Sequence, residues 1–293
     1  MKNRVTNVIL VIVLVLGLAI FLYPSFSDYW NSFHQSRAIA VYAEELENLS
    51  NEEYDRLFEA AEEYNKRMQD LGPRHMDEAE LADYESQLSF NGSGMMGYIE
   101  IPSIKCYLSI YHGTSEAVLQ IATGHIEWTS LPVGGASTHS VISGHRGLPS
   151  AKLFTELDKL RVGDRFSLFI LGKELAYEVC QINTVTPDYL DLMTVVPGED
   201  YVTLVTCTPY GINTHRLLVR GTRVETISDN TLHFTSEAIE ISAIVVAGVL
   251  AAPILFALLL LALISPGESE ARKREDIRKK AMEMIQSGKG IGE

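Results

Sequence analysis

Two β-branched runs, residues 202–207 and 214–219, flank a stretch punctuated by Pro209, Gly211 and Asn213, and they carry Cys207 and Arg216 at their facing ends. Such runs read as strand, loop, strand. Side chains alternate along a strand, so antiparallel pairing across the loop sets Cys207 near Arg216 on one face. A guanidinium beside a thiol favours the nucleophilic thiolate, and its fixed N–H donors suit a developing oxyanion. Acyl transfer through a thioacyl intermediate is the chemistry this pair fits, and it requires a base. His145 ends the apolar run 140–142 inside Ser143-Gly144-His145-Arg146-Gly147, a glycine-flanked loop that presents a ring without crowding. The chain has eight histidines. His125 and His139 also adjoin apolar runs, and His215 points away from Arg216's face, so spacing alone leaves the choice of base open.

The segments THSVISGHRGLPSAKLF and TLVTCTPYGINTHRLLVRG closely resemble the His and Cys/Arg motifs of the sortases, in particular the pilin-polymerising class C members. GYIEIPSI, YHGTSEAVLQ and TSLPVGG extend the likeness over most of residues 97–226. The resemblance implies Cys207 as nucleophile, His145 as general acid and base, and Arg216 as stabiliser of the oxyanion and positioner of the peptide. It implies a membrane-anchored cysteine transpeptidase that cuts an LPxTG-like sorting signal after threonine and joins the thioacyl intermediate to a lysine amine of a pilin subunit. It also implies a mainly β fold, an eight-stranded barrel with short helices, whose 183–199 connection helps form the peptide groove. Thr206, beside the nucleophile, reads either as a lining of the substrate site or as a buried strand threonine. Class C members often carry a lid with an Asp-Pro-aromatic motif. Residues 24–95 contain no Asp-Pro-Phe or Asp-Pro-Trp, which leaves Met76 and Asp77 as the stand-ins. Other outcomes of the same site are anchoring of surface proteins to peptidoglycan, hydrolysis by a membrane-tethered cysteine protease, or a non-catalytic pilus scaffold. No CGSCW-like helix start surrounds Cys207, which argues against the papain design.

The ends of the chain position this machinery relative to a membrane. Residues 7–23 and 241–264 are nearly unbroken apolar runs, the second long enough to cross the hydrocarbon core of about 30 Å. Lys2 and Arg4 precede the first, and Arg272, Lys273, Arg274, Arg278, Lys279 and Lys280 follow the second. Basic flanks stay inside, so residues 1–6 and the tail 265–293 are expected in the cytoplasm and residues 24–240 outside. Tyr23-Pro24-Ser25-Phe26 is a poor cleavage site and favours an uncleaved anchor. The basic tail, expected helical over 271–286, suits attraction to anionic membrane lipids.

Between the spans, residues 24–95 form a helical pre-domain and 96–228 the catalytic domain. Residues 28–49 are helix-prone. Ser50-Asn51-Glu52-Glu53 is a capping box opening a second helix whose Tyr54, Leu57, Phe58, Ala61 and Tyr64 share one face, ended by Leu71-Gly72-Pro73. Residues 76–88 are weakly helical, and Asn91-Gly92-Ser93-Gly94 marks a joint. Strands are expected at 98–101, 107–111, 140–142, 165–171, 174–181, 202–207 and 216–224, with Gly172-Lys173 as a hairpin turn and short helices at 116–121 and 150–160.

A formal net charge of −14 excludes a nucleic-acid partner, since phosphate binding needs a basic surface. The three cysteines, Cys106, Cys180 and Cys207, lack CxxC or Cys/His ligand spacing, so neither a metal nor any other cofactor is expected. Cys106 and Cys180 read as buried small hydrophobes, with a disulfide between them as the minor alternative.

Overall fold

The computed structural model describes residues 2–226 and 268–287, together with Ala251 and Leu255. Apart from those two residues, the second apolar run, 241–264, lies outside the described residues. The chain divides into two compact units, one of Ser27–Phe234 and one of Met1–Phe26 with Thr235–Glu293.

Helix α1 (Lys2–Glu47) contains Pro24 without breaking. Its N-terminal part is long and apolar enough to cross a membrane, with its most apolar window unburied. Helix α2 (Asn51–Met68) starts at the expected capping box: Ser50 accepts from the Glu53 N–H and the Glu53 carboxylate accepts from the Ser50 N–H. Phe58, Ala61 and Tyr64 are buried as the spacing requires. Helix α3 (Glu78–Ser86) has a second capping box, between Asp77 and Glu80.

The rest of the larger unit is a closed barrel with strand order β1-β2-β3-β4-β7-β8-β6-β5. The strands are β1 (Met95–Ile101), β2 (Cys106–His112), β3 (Thr123–His125), β4 (Thr138–Ser143), β5 (Arg165–Ile170), β6 (Lys173–Val185), β7 (Asp200–Thr208) and β8 (His215–Arg223). β2 pairs with β3 and β4 with β7 in parallel, and the other neighbours are antiparallel. Closure leaves no edge strand. The strand absent from the sequence reading is β3, whose three residues Thr-Gly-His carry too little pattern to register. Gly124 lets it approach its neighbour, since a Cβ there would stand 2.1 Å from the Gly113 carbonyl oxygen.

Three expectations are corrected. The β5–β6 turn is Leu171-Gly172, both at positive φ, and Lys173 already pairs with Ile170. Residues 150–160 form a coil with a single 3-10 turn (Leu157–Lys159), although Leu153, Phe154, Leu157 and Leu160 are buried: their apolar face is used without helical backbone. Cys180 is exposed, because the β6–β8 register slips at that residue and turns it out of the ladder. Cys106 is buried as expected, and all three cysteines are free, so no disulfide joins Cys106 to Cys180. The tail forms α5 (Glu268–Ser287) where a helix was expected. A short helix, α4 (Glu116–Leu119), lies between β2 and β3.

The pre-domain is fastened to the barrel by buried polar contacts. The Tyr42 hydroxyl donates to the Met96 carbonyl at 2.8 Å and accepts from the Leu171 N–H at 3.0 Å. Gln35 bonds to Ser109 and to the Ile121 carbonyl. The Tyr84 hydroxyl lies 3.0 Å from His125 Nδ1 and accepts from the Gly113 N–H at 2.9 Å. His125 and His139 are both fully buried, and burial lowers their pKa values to about 3 and about 4. The folded protein therefore keeps both rings neutral where the unfolded chain takes up protons below about 6.5. Stability should fall with pH by about 2 kcal/mol per ring between pH 6.5 and 5. Urea unfolding followed by tryptophan fluorescence should show that slope, and His125→Gln should flatten it by about one proton's worth.

Candidate active site

Cys207, Arg216 and His145 meet at one end of three neighbouring strands. β7 and β8 pair so that Cys207 stands directly opposite Arg216. β4 runs parallel to β7 with Ser143 beside Val205, and the Gly144 N–H donates to the Val205 carbonyl at 3.0 Å. Continuing that register sets Gly144 beside Thr206 and His145 beside Cys207. Parity gives the face. Val202 and Leu204 point into the barrel core, whereas Val205 packs with Val141 and Leu218 in a separate cluster on the outer face. Counting by twos from Val205, Leu218 and Val141 reaches Cys207, Arg216 and His145. All three thus fall on the outer face, at the end of a small apolar floor that Met193, Leu190 and Leu192 of the β6–β7 connection complete.

Cys207 is a half-buried free thiol. Arg216 is held by its own loop, with Nη1 donating to the carbonyls of Asn213 at 3.3 Å and His215 at 3.2 Å. Among the described residues no carboxylate pairs with Arg216, which leaves its charge for a ligand. The His145 side chain is 28% exposed.

Residues next to the three side chains lock the strand ends together. The Thr206 hydroxyl, fully buried, donates to the Gly144 carbonyl at 2.7 Å and ties the cysteine strand to the histidine loop. Gly144 must lack a side chain, since a Cβ would lie 2.7 Å from the Phe154 ring. Arg146, only 9% exposed, donates from Nη1 to the Thr208 hydroxyl at 3.2 Å and from Nη2 to Asp158 at 2.5 Å. One side chain thereby links the residue after His145 to the residue after Cys207. The loop is held from outside too: Phe154 N–H donates to the His145 carbonyl, Ser27 donates to the Ser150 carbonyl, and Asp28 accepts from the Lys152 N–H.

The sequence does not point to Glu116, because no acidic residue adjoins His145 along the chain. It comes from α4, and its Oε2 lies 3.7 Å from His145 Nε2. Only the path of the chain between β2 and β3 creates that pair, so no local signal could have revealed it. Arg146 lies within the histidine motif, but its partners Thr208 and Asp158 come from other segments. The residues named for a lid are engaged within the pre-domain: Met76 is buried in the main core, and the Asp77 carboxylate accepts from the Glu80 N–H at 2.9 Å. His125 and His139 serve as buried structural rings. Among the described residues no cluster of His, Cys, Asp and Glu has the makings of a metal site.

Replacing Arg146 with Met keeps the aliphatic stem and removes the fork that joins the two strand ends. Misplacing a reacting group by about 1 Å costs up to about 100-fold in rate. Arg146→Met should therefore lower kcat about 10- to 100-fold with Cys207 still open to alkylation, as steady-state kinetics and thiol labelling would show.

Comparison with known proteins agrees with this geometry. The sortase domain family matches residues 99–224. The crystal structure of sortase C1 from Streptococcus agalactiae is 53% identical, covers 65% of this chain and 99% of its own, and superposes with a TM-score of 0.64. The Streptococcus pneumoniae sortase C structure is 42% identical, covering 65% and 97%, with a TM-score of 0.59. A Clostridium perfringens sortase C structure with the C-terminal cell wall sorting motif is 45% identical, covering 65% and 100%, with a TM-score of 0.58. A closed eight-stranded barrel with its cysteine, arginine and histidine at three adjoining strand ends, matched along nearly the full length of these structures, places the chain among the class C sortases, a group of cysteine transpeptidases.

Proposed function

We propose that this chain polymerises pilin subunits on the outer face of the membrane, with Cys207 as nucleophile, His145 as general acid and base, and Arg216 as oxyanion stabiliser. The observation that carries the assignment is the convergence of the three side chains on one barrel face, with Cys207 and Arg216 in direct register. The Cys207 thiolate attacks the threonine carbonyl of an LPxTG-like sorting signal. Arg216, with no carboxylate to satisfy it among the described residues, stabilises the negative oxygen, and His145 protonates the leaving amine. The apolar floor beneath the thiol supports binding of the leucine and proline of such a signal. A lysine amine of a second pilin then attacks the thioacyl carbon and restores the free enzyme.

The pilin assignment draws support from the similar structures, one of which concerns pilin substrate specificity and another of which holds a cell wall sorting motif. The apolar N-terminal part of α1 supports anchorage in the cell membrane. The basic residues of α5 support a tail held at anionic lipid on the cytoplasmic side.

Incubating the full chain in detergent with pilin should produce ladders of covalent oligomers resolved by mass. Transfer only to a peptidoglycan precursor would instead identify an anchoring enzyme, and release of free carboxyl ends a protease. Cys207→Ala should abolish every covalent product, which a scaffold role would not require. Arg216→Lys keeps the charge but loses the planar fork, and should cost about 10²–10³ in kcat.

A further inference from the structure

The sorting signal and the incoming amine must reach the same thioacyl carbon, and they cannot occupy the same space. The larger part of the apolar floor, Val205, Leu218 and the β6–β7 connection, lies on the β7–β8 side of His145, with Val141 on the histidine strand itself. α4 joins β2 to β3, so Glu116 reaches His145 from the opposite side. Its side chain is 71% exposed, and its Oε2 stands 3.7 Å from His145 Nε2. Gln120 donates to its other oxygen, Oε1, an arrangement that leaves Oε2 toward the ring. Among the described residues no lysine or arginine pairs with this carboxylate, so a solvent-facing negative charge borders the ring.

We infer that Glu116 is the docking point for the cationic acceptor, receiving a primary ammonium on the α4 side of His145 while the sorting signal lies on the β7–β8 side. The inference rests on the lysine-acceptor reading above and adds the residue that selects the amine. In the resolving step the ammonium first gives one proton to water through the exposed carboxylate. The nitrogen lone pair then attacks the thioacyl carbon, and a C–N bond forms. The second proton passes to the His145 ring. The tetrahedral adduct collapses, the C–S bond breaks, and the sulfur leaves with the electron pair, so that the enzyme ends as thiolate and imidazolium beside a neutral amide.

A charge pair this exposed is a modest contributor, so the effect to look for is a preference among acceptors rather than a loss of activity. The full chain in detergent is acylated with a sorting-signal peptide and resolved either with Nα-acetyl-lysine amide or with hydroxylamine, which is uncharged at neutral pH. The readout is the ratio of acceptor kcat/KM values, lysine over hydroxylamine. Glu116→Gln should lower that ratio about two- to fivefold, Glu116→Asp should recover part of it, and Glu116→Lys should lower it further. Added salt should shrink the difference between wild type and Glu116→Gln. A ratio unchanged in all three variants overturns the inference, as does an equal fall with both acceptors, which would mean that Glu116 acts only by orienting His145. A wild-type chain that is resolved by hydroxylamine but never by lysine overturns the lysine-acceptor reading itself.

Discussion

The parallel pairing of β4 with β7 is the constraint on which the site depends. β7 and β8 are joined by a short loop, so Cys207 and Arg216 are close under almost any folding of that hairpin. His145 has no such guarantee. It comes level with Cys207 only because β4 lies alongside β7 with Ser143 level with Val205, a register that the Gly144 N–H and the Thr206 hydroxyl extend beyond the end of the ladder. A slip of one residue would move His145 off the face shared by Cys207 and Arg216, because side chains alternate along each strand. The register is in turn set by burial: Val141 and Val205 occupy the outer cluster while Ile142 and Leu204 fill the barrel.

That register is reinforced by side chains that do no chemistry themselves. Arg146 spans from the histidine loop to Thr208 and Asp158 with its own guanidinium largely buried, so it pins the two strand ends to each other. The Ser27 and Asp28 contacts to residues 150–152, with Gln35 bonded to Ile121, mean that α1 braces the loops on both sides of His145. The pre-domain is therefore part of the site's support as well as a spacer. Tyr84 adds the same support from α3 through His125, and it does so with a neutral ring.

The charge pattern around the site divides it into two sides. Arg216 offers a positive group beside the thiol, and Glu116 a negative one beyond the imidazole. The proposed reaction, which makes an oxyanion from a neutral carbonyl and consumes an ammonium, has use for both signs, each on the side where its charge arises.

Several features were determined by the sequence alone. The capping box at Ser50, the buried stripe of α2, the apolar N-terminal run and the hairpin holding Cys207 and Arg216 are local patterns, each decided within a few turns or one pair of strands. The histidine was harder: the glycine-flanked loop singled out His145, spacing left His125 and His139 in competition, and the motif resemblance decided between them. Tertiary structure decided what depends on distant segments meeting. β3 exists because β2 and β4 need a partner between them, Cys180 faces solvent because β6 bulges against β8, and residues 150–160 pack as coil because their apolar side chains are drawn into the core by neighbours from other strands. Glu116 beside His145 and Arg146 beside Thr208 belong to the same class. Such contacts arise from closing a barrel, and closure is a property of all eight strands that no single stretch of sequence carries.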